Sequence, residues 1–134
     1  MARTKALAPR CLILDSGAVI GLARGDARAR AMLTRALELG VDVRIPTAVL
    51  AETLRGGPRD APVHRVRASV DVFPQTEMVA RTAGALLGRT KGKNTVDALV
   101  AAEAIAAGAD LLTGDPNDMQ ALLAGHPHVS ILEV

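Results

Sequence analysis

The chain of 134 residues has the length of one ordinary domain, and 49% hydrophobic residues without a low-complexity tract or a solenoid-period repeat argue against a disordered or repeat protein. Sixteen basic against fourteen acidic residues leave a net charge of +2, too little to argue a polyanionic partner from total charge. Phe73 is the one aromatic residue, which speaks against a nucleic-acid module that stacks bases on aromatic platforms, and Cys11 is the one cysteine, which excludes an internal disulfide.

Cys11 lies in an apolar strand and reads as a buried hydrophobe in a reducing compartment, so the cytoplasm is the expected location. Arg3, Lys5 and Arg10 lead into an apolar run too short for the core of a signal peptide. No apolar run approaches the ~18 residues of a membrane span. Residues 1–10 are expected to be a flexible end, and 11–134 a single domain without a linker.

The run Cys11-Leu12-Ile13-Leu14 predicts a buried strand that delivers Asp15 and then Ser16 at its carboxyl end. A short helix follows to Arg24, and Asp26 can cap a second helix to about Leu39, with Met32, Leu33, Ala36 and Leu37 as its apolar stripe and Gly40 as its stop. Val41 to Ile45 is a second strand ended by Pro46; Thr47 is expected to cap the next helix, which carries Glu52 and closes at Gly56-Gly57-Pro58. Residues 56–67 read as a polar turn with a helical turn near Val63 to Ala68. Val70 to Phe73 is a third strand, Thr76 to Leu87 a helix, and Gly88 to Lys93 a basic loop. Asn94 opens a helix from Thr95 to Ala107 that Gly108 ends. Leu111 to Thr113, Pro116 to Ala124 and Val129 to Leu132 complete the alternation as strand, helix and strand. Such alternation argues for a parallel sheet covered on both faces.

The acids at element ends carry the chemistry to be weighed. Asp15 either turns the chain or sits where open parallel sheets bind ligands, beyond the carboxyl ends of strands. Asp115 repeats that placement after the fourth strand, although with Pro116 next it also reads as a helix cap, Asp118 standing at the third helical position. Asp97 lies three residues after Asn94, the spacing of a cap and a first-turn acid, yet it shares a helix side with Ala101, Ala104 and Gly108. Glu52 is either a surface partner of Arg55 or an acid near the same sheet edge. Two carboxylates ~5 Å apart repel by ~3 kcal/mol at an effective dielectric of ~20, so gathering four of them calls for a hard divalent cation such as Mg²⁺ or Mn²⁺.

Other chemistries lack their residues. His64, His126 and His128 have no zinc spacing. Gly92-Lys93-Asn94 is not a phosphate-binding P-loop, and Ser16 has no histidine at a recognisable spacing to make it a nucleophile. Arg55, Arg59, His64, Arg65 and Arg67 form one basic stretch and Arg89, Lys91 and Lys93 a second; each is either a solvated loop or a contact surface.

With Asp15-Ser16, Glu52, Asn94-x-x-Asp97 and Thr113-Gly114-Asp115 in this order, nearly the whole chain resembles the PIN-domain ribonucleases, in particular the toxins of VapBC-type toxin–antitoxin modules. The resemblance implies a three-layer α/β/α sandwich with a central, mainly parallel sheet of about five strands. It implies an endoribonuclease dependent on one or two Mg²⁺ or Mn²⁺ ions. Asp15, Glu52, Asp97 and Asp115 then map onto the metal-binding acids, Asp15 and Asp97 foremost, with Ser16 and Thr113 as supporting hydroxyls and Asp118 as an auxiliary acid. It further implies an RNA substrate, a homodimer, and an antitoxin whose tail enters the acidic groove. Ser16 stands where Thr is frequent in the family, and no aromatic residue follows Asp115. The rival expectations are a non-catalytic RNA-binding or adaptor domain of the same fold and a hydrolase of small phosphate esters.

Overall fold

Residues 10–134 are described by a computed structural model. The expected flexible end therefore lies, but for Arg10, outside the described residues. Arg10 itself is tied down: its guanidinium makes two hydrogen bonds with Asp110, at 2.7 and 3.2 Å, and its carbonyl accepts the N–H of Asp42.

Five parallel strands run in the order β3-β2-β1-β4-β5: β1 Cys11–Leu14, β2 Asp42–Pro46, β3 Asp71–Phe73, β4 Asp110–Thr113 and β5 Ile131–Glu133. The helices between them are α1 Ser16–Ala23, α2 Ala27–Glu38, α3 Thr47–Thr53, α4 Ala61–Ala68, α5 Glu77–Thr90, α6 Thr95–Ala107 and α7 Pro116–Leu122. Consecutive residues of the central strands are buried, Leu12 to Leu14 in β1 and Leu111 to Thr113 in β4. Side chains of both pleat directions are therefore covered, the signature of a sheet sandwiched between helical layers, as the sequence led one to expect. The core is aliphatic throughout, with Ile13, Leu14, Ile45, Leu111 and Leu112 fully enclosed.

Strand order fixes where a site can form. The chain builds outward from β1 to β2 and β3, then returns to lay β4 on the other side of β1. At that reversal the connections leave in opposite directions and open a crevice beyond the carboxyl ends of β1 and β4. Leu14 pairs with Leu112, so Asp15 leaves the sheet beside Thr113.

Several local expectations change. Thr47 does not cap α3: Pro46 holds that position with no side-chain cap, and the N–H of Ala48 is instead accepted by Oε1 of Gln75 at 3.3 Å. The segment 56–67 is more ordered than a polar turn, with a 3₁₀ turn Pro58–Asp60 leading directly into α4. Its organiser is the buried Asp60, whose carboxylate accepts the N–H groups of Arg55 and Gly56 at 2.7–3.1 Å. Helix α5 passes through Gly88 to Thr90 and stops at Lys91, which adopts the left-handed conformation at φ 55°. Arg89 is thereby drawn into the helix, donating to the Leu122 carbonyl of α7 at 3.0 Å, and the basic loop shortens to residues 91–94. Leu37, assigned to the apolar stripe of α2, is 44% exposed.

Candidate active site

Asp15 is the most enclosed of the expected acids, 4% exposed. It is also the N-cap of α1: its Oδ1 accepts the N–H of Ala18 at 2.8 Å and that of Gly114 at 3.4 Å. Burial pushes its carboxyl above the ordinary range, as the Asp115 charge does more weakly; hydrogen bonds from the Thr113 hydroxyl, Ala18 and Gly114 oppose the rise. Thr113, wholly buried, also accepts the N–H of Asp115 at 2.8 Å. One hydroxyl thus binds both strand-end acids into a single corner.

That corner depends on two glycines. A Cβ on Gly17 would stand 2.9 Å from the Gly114 Cα, and one on Gly114 would stand 3.1 Å from the Gly17 Cα. The two turns therefore pack backbone against backbone. Gly17 was not singled out from the sequence; a glycine within two residues of each strand-end acid was the available signal.

Asp97 enters from the first turn of α6, whose N-terminus Asn94 caps by accepting the Asp97 N–H at 3.0 Å. Both readings of this segment hold together, since the cap orients the turn while Ala101 and Ala104 pack at zero exposure on the same side. Asp97 is half-buried, and desolvation together with the charges of Asp15, Asp118, Glu52 and Asp115 pushes it up to about 6. Those four neighbours show which acids the fold gathers. Glu52 does not engage Arg55, whose guanidinium donates to the carbonyls of Ala51 and Leu54. Asp115 caps α7, and its carboxylate, next to that of Asp118, raises the latter's pKa.

Gln75, which the sequence gave no reason to notice, ties the acid-bearing helices together. Beyond its bond to Ala48 of α3, its Nε2 donates to the Leu99 carbonyl at 3.0 Å and to Glu103 at 3.4 Å, both on α6. Helix α3 carries Glu52 and α6 carries Asp97, so one amide sets their relative position.

The site's capacity for a cation rests on two observations. The Ser16 hydroxyl oxygen is shut off from solvent with no hydrogen-bond partner, an unusual and costly state beside an aspartate. Burial and then the repulsion of the neighbouring carboxylates push Asp97 up to about 6, so that it is near half-protonation at mildly acid pH. An oxygen-ligand cation relieves that repulsion, so the donor set suits Mg²⁺ or Mn²⁺. Among the described residues, no three such side chains stand close enough together to form a ready-made ligand cluster. Cys11 is no competing soft ligand: it is half-buried, and burial pushes its thiol up. Among the described residues no helix is long and apolar enough to cross a membrane.

Comparison with known proteins agrees with this geometry. No curated protein matches the sequence. Among solved structures, VapBC2 from Rickettsia felis bound to a promoter DNA fragment superposes with a TM-score of 0.76 at 15% identity, covering 92% of this chain and 98% of that one. DNA-bound VapBC from Salmonella typhimurium gives 0.74 at 17% identity, with 92% and 98% covered, and a toxin–antitoxin complex from Klebsiella pneumoniae gives 0.66 at 24%, with 88% and 94% covered. At such identities the likeness is one of fold. Residues 12–122 match the PIN domain, from the first buried strand through α7, and the chain belongs to the PIN domain family.

Proposed function

We propose that the protein is an endoribonuclease dependent on a divalent metal, the toxin of a toxin–antitoxin pair, with Asp15, Glu52, Asp97 and Asp115 as the acids that would hold one or two Mg²⁺ or Mn²⁺ ions. What supports the reading is that the charges of four other acids reach Asp97, together with an unpartnered, buried Ser16 hydroxyl next to Asp15. PIN domains are generally nucleases, and the solved structures of like fold come from toxin–antitoxin complexes. An antitoxin tail entering the acidic groove, and a homodimer, are parts of the same proposal.

When bound, the ion offsets carboxylate charge and polarises a phosphodiester and a water for in-line attack. The chain's own residues set the rest. Thr113 and two backbone N–H groups fix the Asp15 carboxylate in orientation, so little reorganisation is needed on binding. Asp97, near half-protonation around pH 6, must give up its proton to serve as a ligand. Thr113 holds the Asp115 backbone in the same corner, and Asp118 lies next to Asp115 as the auxiliary acid.

The test is cleavage of an RNA pool by partner-free protein with Mg²⁺ or Mn²⁺, with EDTA, and with Asp97→Asn. Metal-dependent cutting that Asp97→Asn lowers by at least about a hundredfold is expected. Full activity in that variant overturns the assignment, and RNA binding that survives EDTA without any cutting points to a non-catalytic binding domain of the same fold.

A further inference from the structure

A cavity of about 190 Å³, with Asp97 itself in its lining, opens between the end of α5, the loop 91–94 and α7, so that it adjoins the acidic site through that carboxylate. Its walls divide by chemistry. Leu87, Ala121 and Leu122 give apolar surface; Lys93 and Asn94 line one rim, and Asp118 lines another. A cavity of roughly 150 Å³ holds one benzene ring, so this one has room for a single planar ring system and not for a nucleotide with its sugar and phosphate.

Lys93 and Asn94 keep free donors, while Asp118 lies within hydrogen-bond reach of Asp115. Among the described residues no carboxylate pairs with the Lys93 ammonium. Asn94 uses its Oδ1 to cap α6, which leaves its amide N–H₂ as donors. The loop that carries both residues is set by the left-handed Lys91 and by the N–H of Gly92, which bonds to the Leu87 carbonyl at 3.2 Å. Donors on one rim and a carboxylate acceptor on another match a ring whose edge offers acceptors and donors side by side. Guanine has that edge, with O6 and N7 to accept from a lysine or amide and N1–H and N2–H to donate to a carboxylate.

We propose that this cavity seats one unstacked guanine base of the RNA, next to the phosphate at the acidic site, and so selects where the chain is cut. The inference rests on the ribonuclease reading and adds base choice to it. It also explains how a protein whose one aromatic residue, Phe73, lies under Arg44 at 3.8 Å could still grip a base. Aliphatic walls supply contact and the rim supplies hydrogen bonds, in place of aromatic stacking.

The test is equilibrium binding of two fluorescein-labelled pentaribonucleotides, UUGUU and UUUUU, to the full chain in EDTA at low salt. Both probes meet the same carboxylate repulsion, so their affinity ratio isolates the base. Preference for UUGUU of about tenfold or more is expected. Lys93→Ala removes a rim donor, and Ala121→Trp, at an exposed position of α7, fills the cavity; each should bring the ratio close to one, with folding checked by thermal melts. Equal affinity for the two probes, or a preference that survives Ala121→Trp, overturns the proposal. Because binding is read without metal or cleavage, a protein that prefers guanine but cuts no RNA would count against the nuclease reading alone, and one that cuts RNA with a ratio of one would count against the base pocket alone.

Discussion

Gly17 and Gly114 meet where any side chain would have to displace backbone, and backbone yields less readily than the end of a flexible side chain. Gly17→Ala is expected to destabilise the protein by about 1–3 kcal/mol, the range for overpacked interiors, and to pull the Gly114 N–H away from Asp15. A urea unfolding curve with an unchanged slope and a lower midpoint checks it. Asp97 acts in the opposite sense. Held near 6 by burial and like charges, its ionised form strains the folded state at neutral pH. Asp97→Asn should therefore stabilise the metal-free protein at pH 7.5 by about 1 kcal/mol, once solvent screening of a half-exposed group is allowed for, while abolishing cleavage. Thermal melts in EDTA would show this as a rise of roughly 2–5 °C. A fall in melting temperature would mean that Asp97 serves the fold and not a site.

At the scale of elements, the geometry turns on Gln75, one side chain bonded to α3 and α6 at once. Gln75→Leu keeps comparable bulk but leaves the Ala48 N–H without its partner and takes a second donor from the Leu99 carbonyl, costing about 1–3 kcal/mol. Because α3 and α6 carry Glu52 and Asp97, the variant should also bind Mn²⁺ more weakly by several-fold, read by calorimetry; a stability loss with unchanged affinity would make Gln75 a structural clamp only. Gln75 marks where sequence reading ends. The five strands, the helices between them and the placing of Asp15 and Asp115 at strand ends were legible because periodicity and punctuation are local. What escaped notice was non-local or locally ambiguous. A glutamine that caps a helix 27 residues before it leaves no mark in either segment. Asp60 looked like one more polar turn residue until its carboxylate gathered two N–H groups. Gly88 reads as a stop, but the helix continues through it because Thr90 and Arg89 find carbonyls of α5 and α7 to bond.

For the molecule as a whole, these acids shape how stability varies with pH. Asp15, Asp97 and Asp118 have folded-state pKa values raised above their ordinary carboxylate range, so the folded chain binds more protons than the unfolded one across that window. The stability they contribute is present at acid pH and is lost as pH rises from about 4 through about 6. Asp60 runs the other way: the N–H groups of Gly56 and Arg55 depress its pKa, and its contribution is lost as pH falls below the unfolded value. Metal-free protein is expected to be most stable in mild acid, with a melting temperature that declines between about pH 4 and pH 7 and is nearly level above that. Saturating Mg²⁺ should flatten or reverse that decline, since the ion favours the ionised carboxylates. A decline equally steep with and without the ion would argue against a shared cation site.

The lateral order of the sheet has one more effect, on timing. Asp15 emerges early in synthesis, but the strand that lies beside it, β4, comes almost a hundred residues later, and Asp115 follows that strand. Until β4 has been made, the nascent polypeptide holds the first acid without the corner that orients it. The acids come together only after that strand, when an inhibitor made beforehand could already be waiting.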